Sequence, residues 1–192
     1  MFLRSVQGKY PSADTSTHLA KGRLPAVVKA VAGSVRRGTR ILDYGCGRLE
    51  TMLAMWEHFS KQGATYLPYD PFWGWGHTSA MGGSFNTPTF KQLATGPVDI
   101  VLCSNVINVI RDEDIRMGVL ENIQSVLAPQ GGKAFFTVYE GSAADRKKGP
   151  RETKPGCWQN FWPRRAYYPE IQSTFSVRPK EIGPVFYVEV GK

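Results

Sequence analysis

Ile41-Leu42-Asp43-Tyr44-Gly45-Cys46-Gly47 is the stretch of sequence that decides the fold. Residues 39–44 are apolar enough to predict a short strand, and the two glycines break that strand at once. Glycines at such a point let the backbone turn tightly and approach a ligand without obstruction by side chains. A helix is predicted over residues 50–61, and its free N–H groups would point at the same place.

Two carboxylates bracket this turn. Asp43 lies at the end of the first strand, and Asp70 ends a second short strand predicted over residues 64–69. A carboxylate in that position can accept hydrogen bonds from both ribose hydroxyls of a nucleoside. The pattern therefore predicts a nucleoside-containing cofactor, with one alternative left open: the glycines only shape a turn and Asp43 caps a helix.

The choice of cofactor rests on charge. A dinucleotide site has a third glycine beneath the pyrophosphate, and here Glu50 stands at that position. S-adenosylmethionine (SAM) instead presents a sulfonium and an ammonium, which carboxylates attract. The acidic residues therefore favour SAM over NAD.

Strands and helices alternate along the rest of the chain, which predicts an α/β fold with a mostly parallel central sheet in a three-layer, Rossmann-like arrangement. We expect a polar N-terminal arm over residues 1–23 and a single domain over residues 24–192. Further strands are predicted over residues 98–103, 133–139 and 185–190, and helices over residues 24–37, 112–127 and 167–175. Residues 145–165 are expected to form a basic loop rich in aromatic residues.

Bulk composition excludes several classes of protein. No apolar run approaches the roughly 20 residues that a membrane-spanning helix needs, and residues 1–4 do not resemble a secretory signal. Three widely spaced cysteines predict neither a disulfide framework nor a metal site. A cytoplasmic protein without metal or membrane association is expected, and the pattern does not set an oligomeric state.

Positive charge is concentrated at the two ends of the chain. The net charge is +8, with about −4 over residues 43–144 and +12 over the two flanks together. Cations interleaved with aromatic rings are suited to phosphates and bases, so we expect DNA or RNA as the acceptor. The alternative is a solvated basic loop anchored by its tryptophans. The candidate acceptor-binding residues are Arg146, Lys147, Lys148, Arg151, Trp158, Gln159 and Trp162.

Three segments, ILDYGCGRLE, YLPYDPFW and DIVLCSNVINVI, together resemble the class I SAM-dependent methyltransferases. The resemblance spans residues 39–140 and is closest to methyltransferases associated with DNA phosphorothioation and to small phage and bacterial relatives. It implies that Asp43, Gly45 and Gly47 line the methionine end of SAM and that Asp70 holds the ribose. It further implies that Pro71 and Phe72 flank the adenine, while Ser104 and Asn105 approach the amino-acid moiety and face the acceptor.

The sequence departs from the family pattern at one place, and the resemblance leaves the catalytic group and the acceptor open. Leu49 and Glu50 stand where many relatives have small residues, which affects the detailed geometry of the loop. Methyl transfer to nitrogen or sulfur needs mainly in-line positioning, so no general base is required, and the catalytic candidates are Asn105, His77 and Tyr139. The acceptor could also be a small molecule or a protein, or the chain could be a non-catalytic SAM-binding scaffold.

Overall fold

A computed structural model describes residues 24–47, 49–70, 96–154 and 157–191, without the side chains of residues 49, 50 and 154. Six strands form one sheet in the order β2-β1-β3-β4-β8-β7. The first four strands of this order run parallel, and β8 and β7 are antiparallel to their neighbours. The six strands are β1 (Arg40–Tyr44), β2 (Thr65–Tyr69), β3 (Ile100–Ser104), β4 (Lys133–Thr137), β7 (Lys180–Ile182) and β8 (Val185–Glu189).

Helices cover both faces of this sheet. On one face, α1 (Ala26–Val31) and α2 (Leu49–Ser60) contribute to a core that includes Ile41 and Leu102. On the other face, α3 (Glu113–Val126) and α5 (Tyr168–Phe175) pack over Leu42 and Val101. Because successive residues of a buried parallel strand face opposite sides, both cores draw on the same strands. These layers confirm the predicted three-layer α/β fold with a mostly parallel sheet.

The chain reverses direction across the sheet after β1. It passes from β1 to β2 on one side and then to β3 on the other side of β1. In open α/β sheets, ligands bind beyond the carboxyl ends of the strands at such a switch point. The predicted turn at Gly45 and Gly47 lies at this point, directly after β1.

Helix boundaries follow local capping chemistry. Asp112 precedes α3, and its side-chain oxygen accepts hydrogen bonds from the backbone N–H groups of Asp114 and Ile115. The first helix is shorter than the predicted range 24–37: α1 gives way to a 3-10 turn at Ala32–Ser34. Gly33 and Ser34 favour the α-helix weakly, so this end agrees with their propensities.

The largest difference from the sequence prediction is in residues 145–165. This range was expected to be a loop, but it contains most of the helix α4 (Ala143–Lys148) and a hairpin of β5 (Arg151–Lys154) and β6 (Cys157–Gln159). A capping box between Ser142 and Asp145 begins the helix. The strand β7 was also not predicted, because its three residues are all exposed and lack an alternating pattern.

No helix in the described part of the chain is long and apolar enough to cross a membrane. Likewise, the described residues contain no group of three or more His, Cys, Asp or Glu side chains that could hold a metal ion.

Candidate cofactor and acceptor site

The turn after β1 is built from left-handed backbone, which favours glycine. Gly45 and Gly47 have φ angles of +78° and +66°. A Cβ at Gly45 would overlap Cγ2 of Val106, which follows β3. Gly45 therefore meets two requirements at once, a left-handed backbone and close contact between the ends of β1 and β3. Among the described residues, no atom lies within 4 Å of a Cβ added at Gly47.

Asp70 fixes this turn from the neighbouring strand. Its Oδ2 accepts a hydrogen bond of 2.9 Å from the backbone N–H of Gly47. The carbonyl oxygen of Tyr69 accepts two more, from the N–H groups of Gly45 at 2.7 Å and Cys46 at 3.1 Å. The end of β2 thus holds the turn after β1 in place, and it brings together the two acids and two glycines that the sequence singled out.

Asp43 is buried beneath the turn, with 5% of its surface exposed. Burial raises the pKa of Asp43 to about 7, a hydrogen bond from the Tyr66 hydroxyl lowers it, and the negative charge of Asp70 raises it. At neutral pH the carboxyl is therefore close to half ionised. A bound cation would favour the ionised form, so the site is chemically suited to a sulfonium or an ammonium.

The end of β3 lies beside the turn, at the same carboxyl edge of the sheet. The hydroxyl oxygen of Ser104 is buried and has no hydrogen-bond partner among the described residues. Asn105 has a φ of +57°, a conformation that asparagine tolerates better than most residues, and its N–H donates to the carbonyl of Thr137 at 2.8 Å. The predicted role of Ser104 at the amino-acid end of the cofactor stays a prediction, and a polar group of a ligand could satisfy its hydroxyl.

A cluster of buried amides ties the hairpin to the carboxyl edge of the sheet. The Gln159 side-chain nitrogen donates to the carbonyls of Asn108 and Tyr139, at 3.4 and 3.2 Å. Asn160 donates to Asn108 through its backbone at 2.9 Å and to Ile110 through its side chain at 3.1 Å. Gln159, a predicted acceptor-binding residue, is therefore engaged within the protein.

Trp158 and Trp162 also make internal contacts. Trp158 donates to Asn160 at 2.6 Å, and the guanidinium of Arg111 lies 4.8 Å from its ring centre. Trp162 lies between Tyr167, with ring centres 5.6 Å apart, and the guanidinium of Arg116 at 5.2 Å. Both rings are only partly exposed, and they fix the segment after β6 to the body of the domain.

The predicted cations separate into two groups. Arg151 is only partly exposed and forms an ion pair of 2.5 Å with Asp145. Arg146, Lys147 and Lys148 occupy the last turn of α4 and are exposed, although Arg146 also donates to the carbonyl of Gly141 at 2.8 Å. Arg146, Lys147 and Lys148 together form the cationic face of this helix.

Tyr139 follows the end of β4 and has an exposed ring, with 48% of its surface accessible. Phe161 contacts it edge to face at 6.1 Å, and the guanidinium of Arg151 lies 4.3 Å from the Phe161 ring centre. Phe161 itself is buried with a φ of +55°, which is strained for a bulky side chain. The exposed ring of Tyr139 is thus supported by Phe161 at the carboxyl edge of the sheet.

Three predicted site residues, Pro71, Phe72 and His77, lie outside the described residues. Two residues that contact the site were not predicted. Tyr66 could have been suspected from its place in β2 near Asp43, but nothing in the local pattern identifies Val106 as the residue that contacts Gly45.

Taken together, the switch-point turn, the acidic strand ends and the parallel sheet define a nucleoside-binding α/β domain. A family model described as "Methyltransferase domain" matches residues 16–176. The chain belongs to this methyltransferase family, in agreement with the predicted enzyme class and with SAM as the predicted cofactor.

Several solved structures share this fold. A Burkholderia thailandensis 1,6-didemethyltoxoflavin-N1-methyltransferase, with bound 1,6-didemethyltoxoflavin and S-adenosylhomocysteine, is 16% identical with a TM-score of 0.53. The match covers 85% of this chain and 73% of that enzyme. A SAM-dependent methyltransferase from Clostridium acetobutylicum is 10% identical with a TM-score of 0.54, over 86% of this chain and 89% of that one.

The pyocyanin biosynthetic protein PhzM is 16% identical with a TM-score of 0.53, and the match covers 81% of this chain but about half of PhzM, 51%. A search of curated proteins found no match. At these identities the structural likeness concerns the fold alone.

Proposed function

We propose that this chain is a SAM-dependent methyltransferase. The observation that carries the proposal is the turn after β1, where Gly45 is closed against Val106 while Gly47 is held by Asp70. Gly47 directly precedes α2, so a ligand beside it would contact the N-terminal end of that helix, and no described atom lies within 4 Å of a Cβ added there. The family match supports methyl transfer as the reaction.

The residues of the site fit SAM better than a dinucleotide. Asp43 would face the cationic methionine end, and Asp70 would accept hydrogen bonds from the ribose while still holding Gly47. Ser104 and Asn105 would contact the amino-acid group from the end of β3. When bound, SAM supplies a methyl group on a sulfonium, and the protein mainly has to exclude water and align the acceptor.

Calorimetric titration with SAM, S-adenosylhomocysteine and NAD tests this assignment. We expect the first two to bind and NAD to bind at least about 100-fold more weakly, because Glu50 stands where a dinucleotide site has its third glycine and Asp43 adds a further negative charge. Binding of NAD with the higher affinity would contradict the proposal. Binding of neither cofactor would favour the non-catalytic scaffold.

For the acceptor we propose a nucleic acid, as the cationic face supports. Arg146, Lys147 and Lys148 are exposed on α4, which follows the carboxyl end of β4, and the exposed ring of Tyr139 is close in sequence. A polyanion would meet the charges, and a base could stack on the ring. The narrower resemblance to methyltransferases of DNA phosphorothioation systems agrees with this acceptor.

A small heteroaromatic acceptor is the competing proposal. The internal contacts of Trp158, Gln159 and Trp162 favour it, because they remove three side chains from the predicted nucleic-acid surface. The Burkholderia relative that holds 1,6-didemethyltoxoflavin shows that this fold accommodates such a molecule.

Salt dependence of binding to a labelled single-stranded oligonucleotide separates the two acceptors. A Lys147→Ala/Lys148→Ala variant should bind more weakly at low salt, and the slope of affinity against salt concentration should decrease by one to two charges. The matched control is Arg36→Ala/Arg37→Ala, which removes two exposed charges just before β1, at the opposite edge of the sheet. Equal losses in both variants would indicate unspecific attraction and favour the small acceptor.

A further inference from the structure

Tyr66 presents a hydroxyl to the buried carboxyl beneath the cofactor turn. Its Cα pairs with Ile41 in the register of β1 and β2, so its side chain lies on the face that Ile41 shares with Asp43. The ring is stacked on Phe59 at 5.9 Å with an interplanar angle of 22°, and 6% of the residue is exposed. From this fixed ring the hydroxyl donates to Oδ2 of Asp43.

A phenylalanine would fill the same space in the core, so the hydroxyl has a separate effect. Burial and the neighbouring Asp43 raise the pKa of Tyr66 well above its ordinary value, and it therefore remains a donor throughout the physiological range. A permanent donor to a carboxylate oxygen stabilises the ionised form of the acid. Tyr66 thus opposes burial, which favours the neutral form of Asp43.

Other ionisable groups face Asp43 from the elements packed around it. Asp70 adds a repelling negative charge from the end of β2. Cys46 in the turn and Cys103 on β3 also lie near Asp43, but burial raises the pKa of both thiols, so they are neutral at pH 7. The Tyr66 hydroxyl therefore offsets part of the effect of burial and of the charge of Asp70.

We propose that Tyr66 is a positioning residue for cofactor binding: its hydroxyl orients the Asp43 carboxyl and favours the ionised form that attracts the cationic end of the cofactor. This inference rests on the proposed function, because it requires a cationic ligand above Asp43. It assigns to a side chain of β2, outside the glycine turn, a direct effect on the affinity for SAM and on its pH dependence.

The test is calorimetric titration with SAM between pH 5.5 and 8.5 in buffers of different ionisation enthalpy, which also counts the protons released on binding. In the wild-type protein, the affinity should rise about tenfold per pH unit below pH 7 and then level off. In Tyr66→Phe the rise should shift upward by about one pH unit, since a hydrogen bond to a charged group is lost. Its affinity should then be several-fold weaker at pH 7 and close to wild type at pH 8.5.

Two further variants complete the design. Asp43→Asn removes the titrating carboxyl, so the remaining pH dependence belongs to the cofactor's own amino group and can be subtracted. Tyr187→Phe removes a hydroxyl from a ring on β8 that packs against the same apolar cluster, and it should match the wild type at every pH.

Each outcome supports or overturns the inference. A Tyr66→Phe curve that coincides with wild type, or that is weaker by the same factor at every pH, would overturn it and leave a structural role for the hydroxyl. Failure of the wild-type protein to bind SAM at any pH would instead contradict the proposed function. Thermal unfolding of each variant without ligand checks that the fold is retained.

Discussion

The glycine turn and the segment after β4 are constructed differently. The proposed cofactor side, Asp43 to Gly47 with Asp70, consists of backbone in left-handed turns held by a single neighbouring strand. The proposed acceptor side, residues 139–154 and 157–162, is held by side chains that reach across the domain, such as Gln159 to Asn108 and Asn160 to Ile110. A short local motif can therefore form the proposed cofactor side, whereas the proposed acceptor side depends on distant contacts.

The largest expected loss of stability is that of Arg116→Ala, which removes a contact with Trp162 on the proposed acceptor side. Arg116 is 2% exposed, forms a two-point ion pair with Glu170 and donates to the carbonyls of Ile110 and Arg111. Arg116→Ala leaves the largely buried carboxylate of Glu170 and two carbonyls without their donor, so we expect a loss of about 3–5 kcal/mol in the free energy of unfolding.

Urea denaturation measures this loss, with Arg165→Ala as the control because its ion pair with Glu181 is largely exposed and should contribute less than about 1 kcal/mol. Similar losses in the two variants would show that the acceptor side does not depend on buried long-range contacts. The contrast between the glycine turn and the segment after β4 would then be wrong.

Gly45→Ala tests the cofactor side by the same measurement. The new Cβ would overlap Val106 and require a left-handed alanine, so a loss of about 2–4 kcal/mol is expected. Gly38→Ala is a matched control, because Gly38 has a φ of +86° but no described atom lies within 4 Å of the added Cβ, and it should cost only about 1 kcal/mol.

A second variant isolates the contact. Gly45→Ala combined with Val106→Ala should recover part of the loss, since the truncated side chain makes room for the Cβ. If the double variant lost the sum of both single effects, Val106 would not be the residue that requires glycine at this position.

The sequence predicted the glycine turn correctly but did not predict the structure of residues 145–165. The strand–glycine–helix pattern and Asp70 could be recognised because each is set by residues close together in sequence, and the structure places them around one turn. Residues 145–165 were wrongly expected to be a loop, since prolines, glycines and charges there have no clear period. Their hairpin is stabilised by partners about 50 residues away, such as Asn108, which no local pattern shows.

Asp70→Ala addresses the assignment of the ribose acid and has a smaller expected effect. It removes the acceptor for the Gly47 N–H and the proposed partner of the ribose, so SAM should bind about 10- to 100-fold more weakly. Asp99→Ala is the control: Asp99 also accepts a backbone N–H, from Arg40 at 2.8 Å, but at the amino edge of the sheet. Unchanged SAM affinity in Asp70→Ala would reject Asp70 as a cofactor ligand.

The smallest effect, and the one most specific to the cofactor side, is a dependence of stability on pH without ligand. Asp43 has a pKa of about 7 in the folded protein and an ordinary value of 3.8. Between these values the native state holds a proton that the unfolded chain has lost, so the free energy of unfolding decreases as pH rises. From pH 5 to pH 7 the decrease due to Asp43 should be up to about 2 kcal/mol, measured by urea denaturation.

Asp43→Asn should remove this slope, because the amide does not titrate in that range. Saturating SAM should oppose the slope in the wild-type protein, since a cationic ligand favours the ionised carboxyl and binds more tightly as pH rises. A wild-type slope that persisted in Asp43→Asn would assign the titration to another group. The turn would then retain its backbone geometry but lose the electrostatic reason for preferring SAM.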